Sequence, residues 1–151
     1  MCKDRKSLFL KVLALLVALV FICPIHAGAV EPRASEYLDS YNAYPYAAGL
    51  GKVQIWYHVS AVDYMDDIGA LSILIYESTD NTNWTWVKTF TQDKTAGMLA
   101  QNDFFYQSHV EYQGVIGRYY KAYVCIWAGK DGGGDTRYFW TGSVKATLFA
   151  G

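Results

Sequence analysis

The chain has 151 residues, of which 52% are hydrophobic and 17% aromatic, with 13 Tyr, five Trp and three Cys. That is the length of one ordinary domain, and three cysteines exclude a dense disulfide framework. Its mild acidity, −1 overall and −4 without the leader described next, excludes capture of nucleic acid or anionic lipid through charge alone.

Residues 1–29 read as a secretory signal peptide. Lys3, Arg5, Lys6 and Lys11 precede an apolar run from Val12 to Cys23, and Ala27-Gly28-Ala29 offers a small-x-small cleavage site. Even counted from Leu8, the run is shorter than the ~20 residues of a spanning helix, so cleavage is expected rather than an uncleaved anchor. A lipid on Cys23 is disfavoured by the bulky Ile22 before it, where lipoprotein signals resemble one another in carrying a small residue. The leader removes four basic residues and Asp4, leaving nine basic against 13 acidic. It also removes Cys2 and Cys23, so Cys125 stands alone in a strand pattern, as a packed thiol rather than an interchain link, and no intrachain disulfide can form. One secreted domain over 30–151 is expected, held together by its core and with no membrane span.

That domain reads as strands. A short one covers Leu38 to Tyr44. Val53, Ile55, Tyr57 and Val59 alternate with Gln54, Trp56, His58 and Ser60, which puts the first set inward. Asp63, Asp66 and Asp67 are assigned to a loop, and Gly69-Ala70 to a turn. Leu71, Ile73 and Ile75 resume the alternation before a turn at Ser78-Thr79-Asp80-Asn81, and Trp84 to Thr91 returns as a hairpin partner. Asp93 to Asn102 is the one place for a short helical turn. Phe104 to Tyr112 places Tyr106, Val110 and Tyr112 on one face. Tyr120, Ala122, Val124 and Ile126 form the clearest core strand, followed by a hairpin loop Asp131-Gly132-Gly133-Gly134-Asp135 and a last strand from Arg137 to Ser143. About seven short strands predict an all-β fold: a two-sheet antiparallel β-sandwich, immunoglobulin- or fibronectin-like, with a small closed β-barrel as the alternative.

Three sets of residues carry a resemblance: Arg33-Ala34-Ser35 with Tyr37-Leu38 and Tyr41; Met65-Asp66-Asp67-Ile68-Gly69-Ala70 leading into Ile73-Leu74-Ile75-Tyr76-Glu77-Ser78; and Gly117-Arg118-Tyr119-Tyr120-Lys121-Ala122-Tyr123-Val124. Over nearly all the mature part the chain resembles a family of small secreted Firmicutes proteins catalogued as a domain of unknown function. The resemblance implies a Gram-positive source and export, and carries no catalytic residue across.

Motifs for chemistry are sparse. There is no Gly-x-Ser-x-Gly, and the glycines at 132–134 lack the Lys-Ser/Thr that would grip a nucleotide, so no enzyme activity and no cofactor are expected. His58, His109 and Glu111 would meet as a metal site only if their strands were neighbours; ordinary surface polar roles are preferred. The three aspartates match no complete calcium loop and read instead as caps on backbone amides. Asn83-Trp84-Thr85 fits a glycosylation acceptor without meaning in bacterial export.

The functional signal is aromatic. With Ala122, Val124 and Ile126 inward, Tyr119, Tyr123 and Trp127 must point outward, as must Trp56 in its own strand, while Trp84 and Trp86 flank a polar turn. Trp84, Trp86, Trp56, Tyr123 and Trp127 are therefore the candidate ligand-binding residues. The expected function is a secreted, non-enzymatic binding module, with a glycan ahead of an extracellular protein as ligand. The alternative is a structural or self-associating surface protein using the same face as a homo-oligomer interface. Against both stands the plainer possibility that the rings cover one another across strands, each pair contributing roughly 0.2–1 kcal/mol.

Overall fold

The computed structural model describes residues 35–151, and the signal-peptide and cleavage-site readings fall outside them. Seven strands form one antiparallel sheet: β1 (Leu38–Gly49), β2 (Lys52–Ser78), β3 (Thr85–Thr91), β4 (Leu99–Gln113), β5 (Tyr119–Lys130), β6 (Gly133–Trp140) and β7 (Val144–Lys145). The described residues are all-β, as expected, and none of them supplies a helix that could cross a membrane.

The two expected sheets are one because β2 is a single strand of 27 residues, shared by both halves of the molecule. Its first half pairs with β1 on one edge and β4 on the other; its second half pairs with β5 and β3. The aspartates assigned to a loop thus lie within a strand. Between Ser60 and Met65 the register against β4 slips, opposing four residues of β2 to Phe104 alone, and a second slip against β5 falls between Ala70 and Ser72. Bulges of this kind bend a strand and increase its twist. Buried positions accordingly change parity along β2: Val53, Ile55, Tyr57 and Val59, then Ile68 and Ala70, then Ile73 and Ile75.

The bend brings the two halves around one core, in which those residues meet Tyr120, Ala122, Val124, Ile126 and Val110. The far edges of the curl approach without strand pairing. Tyr41 of β1 lies 5.2 Å from Phe139 of β6 between ring centroids, and the Asp135 carboxylate accepts from the Ser35 hydroxyl and the Tyr37 amide. In the segment 93–102, where a short helical turn is expected, the Thr91 carbonyl accepts from the Lys94 and Thr95 amides at 3.0 and 2.9 Å, a single turn, and the rest makes a second fastening at the edge of β4. Residues 92–98 form an excursion between β3 and β4, and the Met98 carbonyl accepts from the Ala70 amide and the buried Tyr57 hydroxyl, at 2.9 and 3.0 Å. The Gly97 carbonyl accepts from Tyr106 and Ser108 at 2.7 and 2.9 Å.

Two tight hairpins set register. Asp131-Gly132, with φ of 53° and 79°, joins β5 to β6, so Gly133 and Gly134 begin a strand and not a loop. Leu50-Gly51, with φ of 54° and 79°, joins β1 to β2 in the same conformation, which normally takes Asn-Gly or Asp-Gly. Leucine is a poor occupant of positive φ. Leu50→Asn is therefore expected to stabilise the protein by roughly 0.5–1 kcal/mol, seen as a higher urea midpoint at unchanged slope; a lower midpoint would mean that the Leu50 side chain contributes packing to the fold.

Candidate functional site

The outward-facing side chains of the second half-sheet converge. Strand register puts Trp86, Tyr76 and Lys121 in one row across β3, β2 and β5, and Leu74, Tyr123 and Trp140 in the next across β2, β5 and β6. The Lys121 ammonium sits between two indoles, 4.4 Å from the Trp84 ring centre and 4.5 Å from that of Trp140. Tyr76 meets Trp140 edge-on at 4.9 Å, Tyr123 lies 4.9 Å from Trp140, and Tyr123 stacks on Tyr138 at 6.0 Å. The cluster nevertheless reaches solvent: Trp86, Tyr138 and Trp140 are 57%, 61% and 50% exposed.

Lys121 makes no ion pair among the described residues. Its charge is held by ring faces alone, an arrangement worth about 0.5–1 kcal/mol per cation–π contact at exposed sites. This leaves its donors available to a ligand between two flat apolar surfaces. Cys125 lies in the next row, paired in register with Tyr138 and Ser72; burial pushes its thiol up from the ordinary value.

Of the five residues singled out by sequence, three belong to this cluster: Trp84 and Tyr123 directly, and Trp86 beside Tyr76. Trp56 stands on the outer face of the other half-sheet, stacked on His109 at 4.3 Å, its indole N–H donated to Gln54 Oε1 at 2.9 Å. Trp127 points outward at the far end of β5 and lies flat over Gly129 and Gly134, where a Cβ on either glycine would come within 2.3 Å of the ring. Sequence reasoning missed Tyr76, Lys121, Tyr138 and Trp140. The signal was present in Asp131-Gly132: read as a two-residue turn, it pairs Lys130 with Gly133 and, counting outward, Tyr123 with Trp140.

The other candidates resolve into structural roles. His58 and His109 do share the outer face of β2 and β4, but His58 stacks against Phe105 at 6.4 Å, and Glu111 is bound by Lys52 at 2.8 Å and Gln54 at 3.1 Å. The Lys52 ammonium beside Glu111 lowers its carboxyl below the usual range. Asp63 pairs with Lys130 at 2.8 Å, and Asp66 accepts the Asp131 amide at 2.8 Å, fastening the β5–β6 turn to the bend of β2. Among the described residues no group of three or more His, Cys, Asp or Glu is arranged to hold a metal. At the Ser78–Asn83 turn the Asp80 carboxylate accepts from the Asn83 and Thr82 amides, the Asn83 side chain and the Ser78 hydroxyl, which hold it far below the ordinary carboxylate range. That turn fixes the entry of Trp84 to β3.

Compared with protein-family models, curated proteins and solved structures, the chain matches none.

Proposed function

We propose that this is a secreted, non-enzymatic binding module whose ligand, a glycan, stacks on the Trp84–Lys121–Trp140 cluster. The carrying observation is the unpaired ammonium held between two indoles, with Tyr76 and Tyr123 packed against Trp140. Sugar rings offer C–H faces to flat aromatic surfaces, and Lys121 adds hydrogen-bond donors and a positive charge. A carboxylate-bearing sugar is favoured over a neutral one for that reason. The leader-like residues 1–29 and the resemblance to small exported Firmicutes proteins support an extracellular site of action, at the cell wall or on host mucus. For the fold, a single sheet curled so that β1 and β6 meet through side chains supports a barrel-like reading over an immunoglobulin- or fibronectin-like sandwich.

A glycan array followed by titration tests this. Aromatic contacts contribute about 0.5–1.5 kcal/mol each beyond area burial, so Trp84→Ala/Trp140→Ala is expected to weaken binding by roughly tenfold or more. Trp56→Ala should leave it unchanged. Equal binding by the double variant would remove the platform.

The second reading is self-association, favoured by the simultaneous exposure of Trp86, Tyr138 and Trp140 in one patch. It requires a mass by light scattering that rises with concentration and falls to the monomer in the same double variant.

A further inference from the structure

We propose that the end of the molecule opposite the β5–β6 turn is a membrane-docking tip that inserts into the surface of an anionic lipid bilayer. Three chain segments meet there: the β1–β2 turn at 47–51, the β4–β5 turn at 114–117, and 146–151. Backbone hydrogen bonds tie them together: Leu50 N–H to the Leu148 carbonyl at 2.8 Å, Gly51 N–H to Thr147 at 2.9 Å, Gly114 N–H to Gly51 at 3.0 Å and Gly117 N–H to Ala146 at 2.8 Å. Their side chains point away from the core. Leu50, Val115, Ile116, Leu148 and Phe149 are 69%, 52%, 52%, 49% and 79% exposed.

Composition and placement identify the occupant. None of the three segments contains a charged residue, and each is bounded by a cation: Lys52 follows the first, Arg118 follows the second and Lys145 precedes the third. Across residues 30–151, with nine basic against 13 acidic residues, apolar turns collared by cations match an acyl layer under anionic headgroups. Lys52 and Arg118 are shared with Glu111 and Glu77, whereas Lys145 makes no ion pair among the described residues and lies 5.4 Å from the Tyr119 ring. The apolar side chains therefore supply most of the binding and charge the remainder, consistent with an overall acidity too unfavourable for attachment by charge alone. Leu50 stands where the turn itself calls for Asn, so the hairpin does not account for it. All five exposed apolar residues lie outside the strands, on connecting turns and the segment after β7, and not across a strand face, which suits a fluid partner over a second copy.

Co-sedimentation of the purified protein with vesicles of phosphatidylcholine, with and without phosphatidylglycerol, tests the proposal. Wild type is expected to sediment with the mixed vesicles and less with phosphatidylcholine alone, and added salt should weaken binding without abolishing it. Leu50→Asn, which suits its turn and keeps the fold, is expected to weaken binding several-fold; Leu50→Asn/Ile116→Ser/Phe149→Ser should weaken it about tenfold or more. Trp84→Ala/Trp140→Ala should bind vesicles as wild type does, separating this site from the glycan platform. The proposal is overturned if wild type stays in the supernatant with both vesicle types, if the triple variant binds equally well, or if light scattering without vesicles shows a dimer that the triple variant dissolves.

Discussion

Gly69→Ala is expected to leave the protein unfolded or close to it. Gly69 has φ of 147°, a region that other residues rarely adopt, and it is paired with Leu99 at the start of β4, beside the Met98 carbonyl. An alanine Cβ there would stand 2.3 Å from the Met98 carbonyl oxygen and 3.1 Å from Leu99 Cα. Both obstacles are backbone, so no rotamer change relieves them. Pushing Met98 aside would also break its bonds from Ala70 and Tyr57 and release the 92–98 excursion. Backbone strain and overpacking each cost about 1–3 kcal/mol, and the lost hydrogen bonds add about 1 kcal/mol apiece. The sum, roughly 4–8 kcal/mol, is a large part of the 5–15 kcal/mol that holds a domain together. Gly132→Ala is the control, since Gly132 also has positive φ, 79°, but nothing lies within 4 Å of its would-be Cβ. It should cost only about 1–2 kcal/mol. Urea midpoints of the two variants decide the matter, and similar midpoints would mean that the contact of Gly69 with Met98 and Leu99 is not tight.

The second large effect is alkaline unfolding. Burial pushes the Tyr57 phenol well above its ordinary value, and burial followed by the Glu77 carboxylate pushes Tyr120 up to about 12. Tyr57 donates to Met98; Tyr120 donates to Glu77 while accepting the Val115 amide at 2.8 Å. Both phenols must stay protonated in the folded protein, while the unfolded chain releases these protons near pH 10. Their contribution is therefore complete below pH 10 and is lost as pH rises through 10 toward 12 and beyond. Each phenol contributes a slope of about 1.4 kcal/mol per pH unit, so the two together remove on the order of 5 kcal/mol between pH 10 and 12, enough to unfold a marginally stable domain. Tyr57→Phe should cost about 1 kcal/mol at pH 7 and roughly halve the slope. An unchanged slope in circular dichroism melts would show that Tyr57 ionises freely in the folded state.

How far these features could be read from sequence depended on whether local pattern or long-range register set them. The alternation through Val53, Ile55, Tyr57 and Val59, and again through Tyr120, Ala122, Val124 and Ile126, reflects burial of one sheet face and is written residue by residue. β2 running unbroken through Asp63, Asp66 and Asp67 is not written that way. Aspartate is depleted in strands, and the bulges that change parity at Ile68 and Ala70 depend on the pairing partners on both edges. Of the segment 93–102, where a short helical turn is expected, only a single turn closed on the Thr91 carbonyl forms; beyond it Met98 is buried and its carbonyl is taken by the Tyr57 hydroxyl and the Ala70 amide of β2, which no local pattern encodes. Trp84, Trp86 and Tyr123 were legible from alternation and turn position. Trp140 and Lys121 complete the cluster through the β5–β6 and β2–β5 registers, and the first of these was recoverable from Asp131-Gly132. The apolar tip went unread because Leu50, Ile116 and Phe149 are far apart in the chain and each is unremarkable alone.

The five tryptophan indole N–H signals give the most direct test of the central claim, that Trp84, Lys121 and Trp140 form one binding platform. In a nitrogen–proton correlation spectrum, titration with carboxylated cell-wall or mucin oligosaccharides is expected to shift the Trp84 and Trp140 signals together along one saturating curve, with the Lys121 side chain following and Trp56 and Trp127 unmoved. Signals that all stay in place at saturating sugar, or a shift centred on Trp56, would contradict it.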